Sequence, residues 1–319
     1  MTVAQQKDSL EQLFDEAVLE HAEPLWPLLS TVSPPFPVAK AAPYVWSYER
    51  LRPFCERAAR LVGTDLAERR VFMLINPKLK APYTTDTLYA GLQTILPGET
   101  ARAHRHSPFA LRFIIEGERG FTAVEGEKVM MERGDMVLTP SWEWHDHGNE
   151  GDRPMIWLDG LDLPLWQVLP SNFTEHYANA RYPSDLLNTA SNRKYPWAEM
   201  QAKLDAATGA VAEERYRMRA NGAEISATIG ASAFRIDAGG QTAPLRETAS
   251  AVMHVYEGSG ETRVGDTVLT WKQGDSFALP AWQKIVHENT GAGRAYLFRF
   301  DDRPLMSALA ALRTDAGQT

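Results

Sequence analysis

Two stretches near the start of the chain place apolar side chains at helical spacing. Residues 7–22 do so with Leu10, Leu13, Phe14, Ala17 and Val18. Residues 48–62 carry Leu51, Phe54, Cys55, Ala58 and Leu61 on one stripe, with Gly63 as the stop. The Pro-rich passage from Pro24 to Pro43 between them reads as irregular. From Val71 the period changes. Seven short apolar runs (VFMLIN, TLYAGLQTIL, ARAHRHSPFALRFIIEG, GFTAVEG, DMVLTP, WHDHGNEG and MIWLDGLDLP) alternate with Gly, Pro and Asp turns, which predicts an all-β sandwich or barrel. The rhythm lapses over 161–222. There RYPSDLLNTASNRKYP reads as an exposed connection and residues 197–214 as a helix, before strands resume at Ala223. The predicted division is a helical arm over 1–70, a first barrel over 71–165, a linker over 166–222 and a second barrel over 223–319.

The two barrels read as copies of one another. GDSFALP at 274–280 repeats GDMVLTP at 134–140, and YEGSGETRVGD echoes IEGERGFTAVEG. With Gly240 set against Gly98, the positions matching His104, His106 and His145 hold Arg246, Thr248 and Ile285, while His287 matches His147. Arg and Ile hold no divalent metal, so the second copy is expected to be empty. His254 and His287 read as packing or hydrogen-bonded histidines.

Composition narrows the function. With 319 residues, 44% of them hydrophobic, the chain can bury one large core or two ordinary ones. A net charge of −8 argues against nucleic acid or an anionic membrane as partner. No apolar run approaches the roughly 20 residues of a membrane helix, and the N-terminus lacks a signal-peptide layout. The single cysteine, Cys55, excludes an internal disulfide, fits a reducing cytoplasm and reads as a packing residue.

The candidate chemistry lies between Gly98 and His147. Alternate side chains of a strand share a face, so His104 and His106 point one way, and His145 and His147 share a face of their own strand. Three or four imidazoles converging inside one small barrel read as a metal site. Arg112 keeps the parity of His106, and an inward Arg needs an anion. That anion is a substrate carboxylate held by the guanidinium or a buried acid such as Asp159. On TLYAGLQTIL, Tyr89, Gly91, Gln93 and Ile95 alternate onto one face. Gly91 there leaves room for a close approach, either by a ligand ring or by core packing. Asp159 reads equally as a contact to a ring substituent or to a turn amide. Arg69 and Arg70 read as a solvated basic pair, with a cap on the pocket mouth as the alternative. Trp142, Trp144 and Trp157 read as barrel wall, and Asp146 as facing away from the site.

These residues resemble the two motifs of the cupin superfamily. The first is present as Gly98, His104, His106 and Gly117, and the second as Gly134, Pro140, His145 and Asn149, with Trp142 in place of an inner Gly. The longer string AHRHSPFALRFIIEG…GDMVLTPSWEWHDHGNEGDRPMIWLDGLDLPL resembles the gentisate 1,2-dioxygenase family, which also contains salicylate and 1-hydroxy-2-naphthoate dioxygenases. The resemblance covers both barrels and the linker. It implies an all-β bicupin, two jelly-roll barrels with a ligand-free second copy, and a homotetramer. The Glu of the general cupin motif would fall at 110 or 111, where this chain has Ala110 and Leu111. Three neutral imidazoles leave the metal its full charge, which favours an anionic chelating substrate, and leave positions open for O2 chemistry. That points to Fe(II), although the ligand set alone also accepts Mn, Ni, Cu or Zn.

The resemblance further implies Fe(II) on His104, His106 and His145, with Arg112, Gln93 and His147 catalytic. Arg112, Tyr89, Gly91, Gln93, His147 and Asp159 would contact an aromatic hydroxy-acid substrate. The reaction implied is opening of the C1–C2 bond of gentisate or a 5-substituted salicylate with O2. Two other readings stay open: a non-catalytic bicupin that binds a small aromatic acid, and a Mn or Zn cupin isomerase or decarboxylase that works without O2.

Overall fold

The computed structural model describes residues 9–63, 67, 69–184, 186–187 and 191–315. Residues form two compact units, an arm through Val38 and a body from Ala39. In the arm, Ser9 opens the helix Leu10–Leu19 by accepting the Gln12 N–H on its Oγ at 3.0 Å, a side-chain N-cap. Positions 7 and 8 of the expected helix lie outside the described residues. The apolar stripe of this helix is exposed, with Leu19 at 79%, and Trp26 and Phe36 further along the arm are exposed as well.

The body holds two cupin barrels. In the first, one sheet runs in the order Lys194–Tyr195, Met136–Thr139, Ala110–Glu116, Met155–Leu161, Tyr89–Ile95 and Arg70–Met73. The facing sheet runs Thr174–His176, Thr100–His106, His145–Asn149, Glu118–Val124, Glu127–Glu132 and Leu186–Leu187. The second barrel repeats the first of these sheets, with Tyr44–Trp46 beside Ser276–Leu279 in the edge place that Lys194–Tyr195 takes in the first barrel. The helix Tyr48–Leu61 forms as expected and buries Cys55. Between the barrels, Phe113 stacks on Phe298 at 4.2 Å within a core drawn from both copies. Each ring so buried contributes about 1.5–3 kcal/mol, and the two barrels fall in one compact unit.

The region between the barrels differs from expectation. The helix Trp197–Ala206 stops short of Glu214, and Val211–Arg215 instead pairs along Gly230–Ile236. An open sheet edge offers that segment a full ladder of hydrogen bonds, which outweighs its Ala-rich helical pattern. The connection expected to be exposed is also tied down. Lys194–Tyr195 pairs with Met136–Thr139, and Arg193 bridges Glu127 at 3.1 Å and Glu143 at 2.9 Å.

The internal repeat is shifted by one residue from the expected alignment. Gly239, not Gly240, occupies the left-handed turn of Gly98 (φ 70° against 78°), and each donates its N–H to the matching asparagine carbonyl, Asn289 or Asn149. The isolated bridge Leu245 to Ile285 repeats the pairing of His104 with His145. Trp282 donates to the Glu247 carbonyl as Trp142 donates to that of His106. Leu245 and Glu247 therefore stand where His104 and His106 stand. Arg246 takes the outward place of Arg105, over Trp282 as Arg105 lies over Trp142. Two adjacent glycines left the register open in the sequence, and a slip of one residue turns every side chain to the other face. The second barrel still has no imidazole triad. In its place Glu247, 3% exposed, accepts from Arg299 at 2.5 Å and from Arg303 at 2.7 Å, and Asp301 holds Arg299 from the other side at 3.1 Å.

Candidate metal centre

The facing sheets bring the sequence-predicted residues to one place. His104 and His145 are cross-strand partners, set opposite each other by a bulge between Ala101 and His104 that puts one extra residue against the His145 strand. The bulge is closed from outside by the linker: Ala103 donates to the Ala180 carbonyl and accepts from the Tyr177 N–H, both at 2.9 Å. His106 follows two residues on. Ring centroids are 4.1 Å apart for His104 and His145, 4.8 Å for His106 and His145, and 5.2 Å for His104 and His106. One ligand atom from each lies within 4.8 Å of the others, and among the described residues this is the one such cluster.

Each of the three rings is anchored by its Nδ1 to a backbone carbonyl two residues away. His104 meets Arg102 at 3.3 Å, His106 meets Pro108 at 2.8 Å, and His145 meets Glu143 at 2.8 Å. A ring that donates from Nδ1 presents a lone pair on Nε2, which is the tautomer a metal requires. Burial drives all three well below the ordinary histidine range, His106 to about 4. The rings are therefore neutral at pH 7. His145 Nε2 is fully buried without a hydrogen-bond partner, a costly arrangement in a protein interior unless a ligand completes it. The residues fit a divalent metal. His147 stays outside the triad: its Nδ1 meets Thr122 Oγ1 at 3.1 Å and its Nε2 is a second buried orphan. The same Thr–His pair recurs in the second barrel as Thr262 and His287. Thr122 was missed in the sequence, although its repetition in GFTAVEG and GETRVGD was a signal for it.

The opposite sheet supplies the other wall of a cavity of about 280 Å3. Tyr89, Gln93, Arg112 and Asp159 line it with His104 and His106. Gly91 lies beneath Tyr89, where a Cβ would come within 2.5 Å of the phenol oxygen and 2.7 Å of Val71. Glycine there lets Tyr89 fold back along its own strand. Arg112 is fully buried and donates to Thr139 Oγ1. It meets Asp159 across the Ala110–Glu116 and Met155–Leu161 pair at 3.2 Å. The buried-acid alternative for Arg112 is thus realised, and a guanidinium with five donors has others to offer. Asp159 also accepts from Trp157 Nε1 at 3.0 Å, and burial lifts its carboxyl to about 6 against the pull of Arg112.

The basic pair divides. Arg70 is buried, paired with Glu99 and bonded to the carbonyls of Ala59 and Val62, so the solvated reading fails for it. Arg69 lines the cavity, its guanidinium beside His104 Nδ1, and donates to the Arg102 carbonyl. Asn172 and Thr174, from the linker, complete the lining, and no local sequence pattern marked them. Trp142 and Trp144 sandwich Arg105 at 4.6 and 4.5 Å outside the site, and Asp146 is held by Arg181 and the Tyr182 N–H. A larger cavity of about 410 Å3, bordered by Tyr48, Glu116, Arg133 and Tyr256, holds no metal-ligating cluster.

Comparison with known proteins agrees with this geometry. Residues 91–161 match the family model described as a cupin domain. A gentisate 1,2-dioxygenase of Aquipseudomonas alcaligenes is 37% identical over 91% of each chain, and one of Streptomyces is 33% identical over 100% of this chain and 99% of its own. Among solved structures, a salicylate 1,2-dioxygenase of Pseudoaminobacter salicylatoxidans with gentisate adducts superposes with a TM-score of 0.88 at 31% identity, covering 100% of this chain and 98% of its own. Similarity that covers 91% or more of the chain, with three imidazoles in the first barrel and a salt-bridge cluster in the second, places this chain in the gentisate 1,2-dioxygenase family of ring-cleaving bicupins.

Proposed function

We propose that this protein is an Fe(II) enzyme that opens the C1–C2 bond of gentisate or a related 5-substituted salicylate with O2. The observation that carries it is the triad itself: three neutral imidazoles, each fixed through Nδ1, with no carboxylate ligand among them and an Arg-lined cavity in front. Held by His104, His106 and His145, Fe(II) would supply the one-electron chemistry that a reaction of O2 with a closed-shell ring requires. The remaining roles belong to the chain. Arg112 fixes the substrate carboxylate, and Asp159 keeps that guanidinium charged and aimed. Tyr89 bounds the ring over Gly91, and Gln93 hydrogen-bonds beside the metal. His147, uncharged because burial holds it far below its usual range, offers Nε2 to substrate or oxygen. Holding both reactants on one frame replaces a collision with an intramolecular step.

The same reading places the catalytic unit in residues 71–165, with the second barrel over 223–319 as its support, and the protein in the cytoplasm. The apolar side chains exposed along the arm support assembly with further copies, as a homotetramer. Oxygen uptake by Fe(II)-reconstituted protein tests the function, with gentisate, salicylate, 5-chlorosalicylate, 5-nitrosalicylate and 1-hydroxy-2-naphthoate as substrates. Uptake accompanied by loss of the aromatic absorbance is expected. Full iron loading with no uptake on any of them would move the assignment to a binding protein.

A further inference from the structure

The Pro108 carbonyl that meets His106 Nδ1 at 2.8 Å belongs to a peptide unit held at both ends. A trans peptide is planar, with C=O and N–H pointing opposite ways, so fixing one end aims the other. The N–H of that unit, on Phe109, donates to Asp162 Oδ1 at 2.9 Å. Asp162 is 2% exposed and its side chain caps nothing in the helix Leu163–Trp166 that it precedes. Its carboxylate takes Trp166 Nε1 at 3.0 Å and, on Oδ2, the Thr228 hydroxyl at 2.7 Å. Thr228 lies in the second barrel, two residues before the strand Gly230–Ile236. The anchor peptides of the other two histidines are gripped without the second barrel. The Trp144 N–H, behind the Glu143 carbonyl, donates to Glu125 Oε1 at 2.6 Å, and the Ala103 N–H, behind that of Arg102, to the Ala180 carbonyl. His106 is also the half-buried member of a triad whose other two rings are buried.

The same contacts recur with the barrels exchanged. Asp302 accepts the Ser250 N–H at 2.7 Å and the Thr87 hydroxyl of the first barrel, as Asp162 accepts from Phe109 and Thr228. There the residue in the place of His106 is Glu247, and its carboxylate goes to Arg299 and Arg303. One clamp between the barrels therefore ends on a triad histidine and its mirror does not.

We infer that Thr228 and Asp162 are positioning residues of the metal centre: the second barrel, with no imidazole triad of its own, aims His106 through the Thr228 hydroxyl, the Asp162 carboxylate and the 108–109 peptide. This rests on the reading that the triad holds a divalent metal, and on nothing about the substrate or O2. A carboxylate accepting a backbone N–H makes a charge-assisted bond, stronger than a neutral one. Partners that orient a ligating imidazole carry roughly 10–100-fold in metal affinity, and a group one bond further out carries less.

Co(II) is the probe, because its visible absorption counts bound metal and reports ligand geometry in a single titration of full-length protein stripped of metal. Thr228→Val keeps the shape and removes the donor; it is expected to weaken Co(II) binding about threefold and to shift the visible bands, and Thr228→Ser to restore both. Asp162→Ala is expected to weaken it about tenfold. Thr87→Val breaks the mirror clamp: it should lower Tm as Thr228→Val does, yet leave Co(II) affinity and the bands unchanged. Wild-type affinity and bands in Thr228→Val overturn the inference. So does an equal loss in Thr87→Val, which makes the effect a general loosening between barrels. Both results leave the metal centre standing, whereas a wild type that binds no Co(II) removes the metal reading as well. Should Asp162→Ala not fold, the Thr228 variants set against Thr87→Val still decide.

Discussion

Glu247→Leu tests the corrected register of the second barrel most directly. Glu247 is buried between Arg299 and Arg303, at 2.5 and 2.7 Å, and receives a charge-assisted hydrogen bond from each. Leucine keeps most of the volume and removes the anion. Arg299, 5% exposed, then retains Asp301 at 3.1 Å, while Arg215 and Arg303 press on the same carboxylate. Breaking a buried pair by removing one partner costs about 3–5 kcal/mol, most of it the charge left behind. For a body of this size each kcal/mol lowers Tm by roughly 2–4 °C, so a fall of roughly 6–20 °C is expected in a thermal melt followed by circular dichroism. Arg246→Leu is the control. Arg246 is partly exposed outside the barrel over Trp282, and a surface change of that kind is worth about 0.5 kcal/mol or less. Had Arg246 faced inward, as the unshifted alignment requires, the two results would be reversed. A Tm within 2 °C of wild type for Glu247→Leu, or a larger drop for Arg246→Leu, would refute the register. Replacing both partners, Glu247→Leu with Arg299→Met, should recover much of the loss, because two apolar groups leave no stranded charge.

Three further outcomes follow from the same geometry. His106→Ala should abolish both iron retention and oxygen uptake while the melt stays cooperative; an active, iron-replete variant would sink the triad assignment. Arg112→Met made together with Asp159→Asn, so that no buried carboxylate is stranded, should keep iron and weaken binding of 2-hydroxybenzoates roughly 30-fold or more, and unchanged affinity in an anaerobic titration would remove Arg112 from the carboxylate. Asp302 accepts hydrogen bonds from the Ser250 N–H at 2.7 Å, from Ser250 Oγ at 3.0 Å and from Thr87, and burial pushes its carboxyl up from 3.8 to about 7. The folded protein therefore holds a proton that the unfolded chain releases above pH 4, so this group takes stability away as pH rises from about 4 to about 7. Asp302→Asn should flatten that part of the Tm–pH curve, and superimposable curves would count against it.

The sequence by itself determined the class of fold and the core of the site. Period-two runs between Gly and Pro turns require a half-buried sheet, the duplicated GD…LP strings require two copies, and HxH with HxH on two strands can converge only inside one barrel. Each of these signals is local: alternation along a strand decides facing without reference to anything distant. What the tertiary structure decided were matters in which distant segments compete. Whether residues 211–215 remain helical or complete a sheet depends on an edge left open by Gly230–Ile236. The choice between Gly239 and Gly240 depends on which of them takes the left-handed turn, and with that choice a buried glutamate replaced a solvent-facing arginine as the occupant of the second barrel. The fates of Arg69 and Arg70, adjacent and chemically identical, separated because one points at Glu99 and the carbonyls of Ala59 and Val62 while the other borders the cavity. Composition and spacing say which side chains are available; only the packing of strands far apart in the chain decides which of them meet.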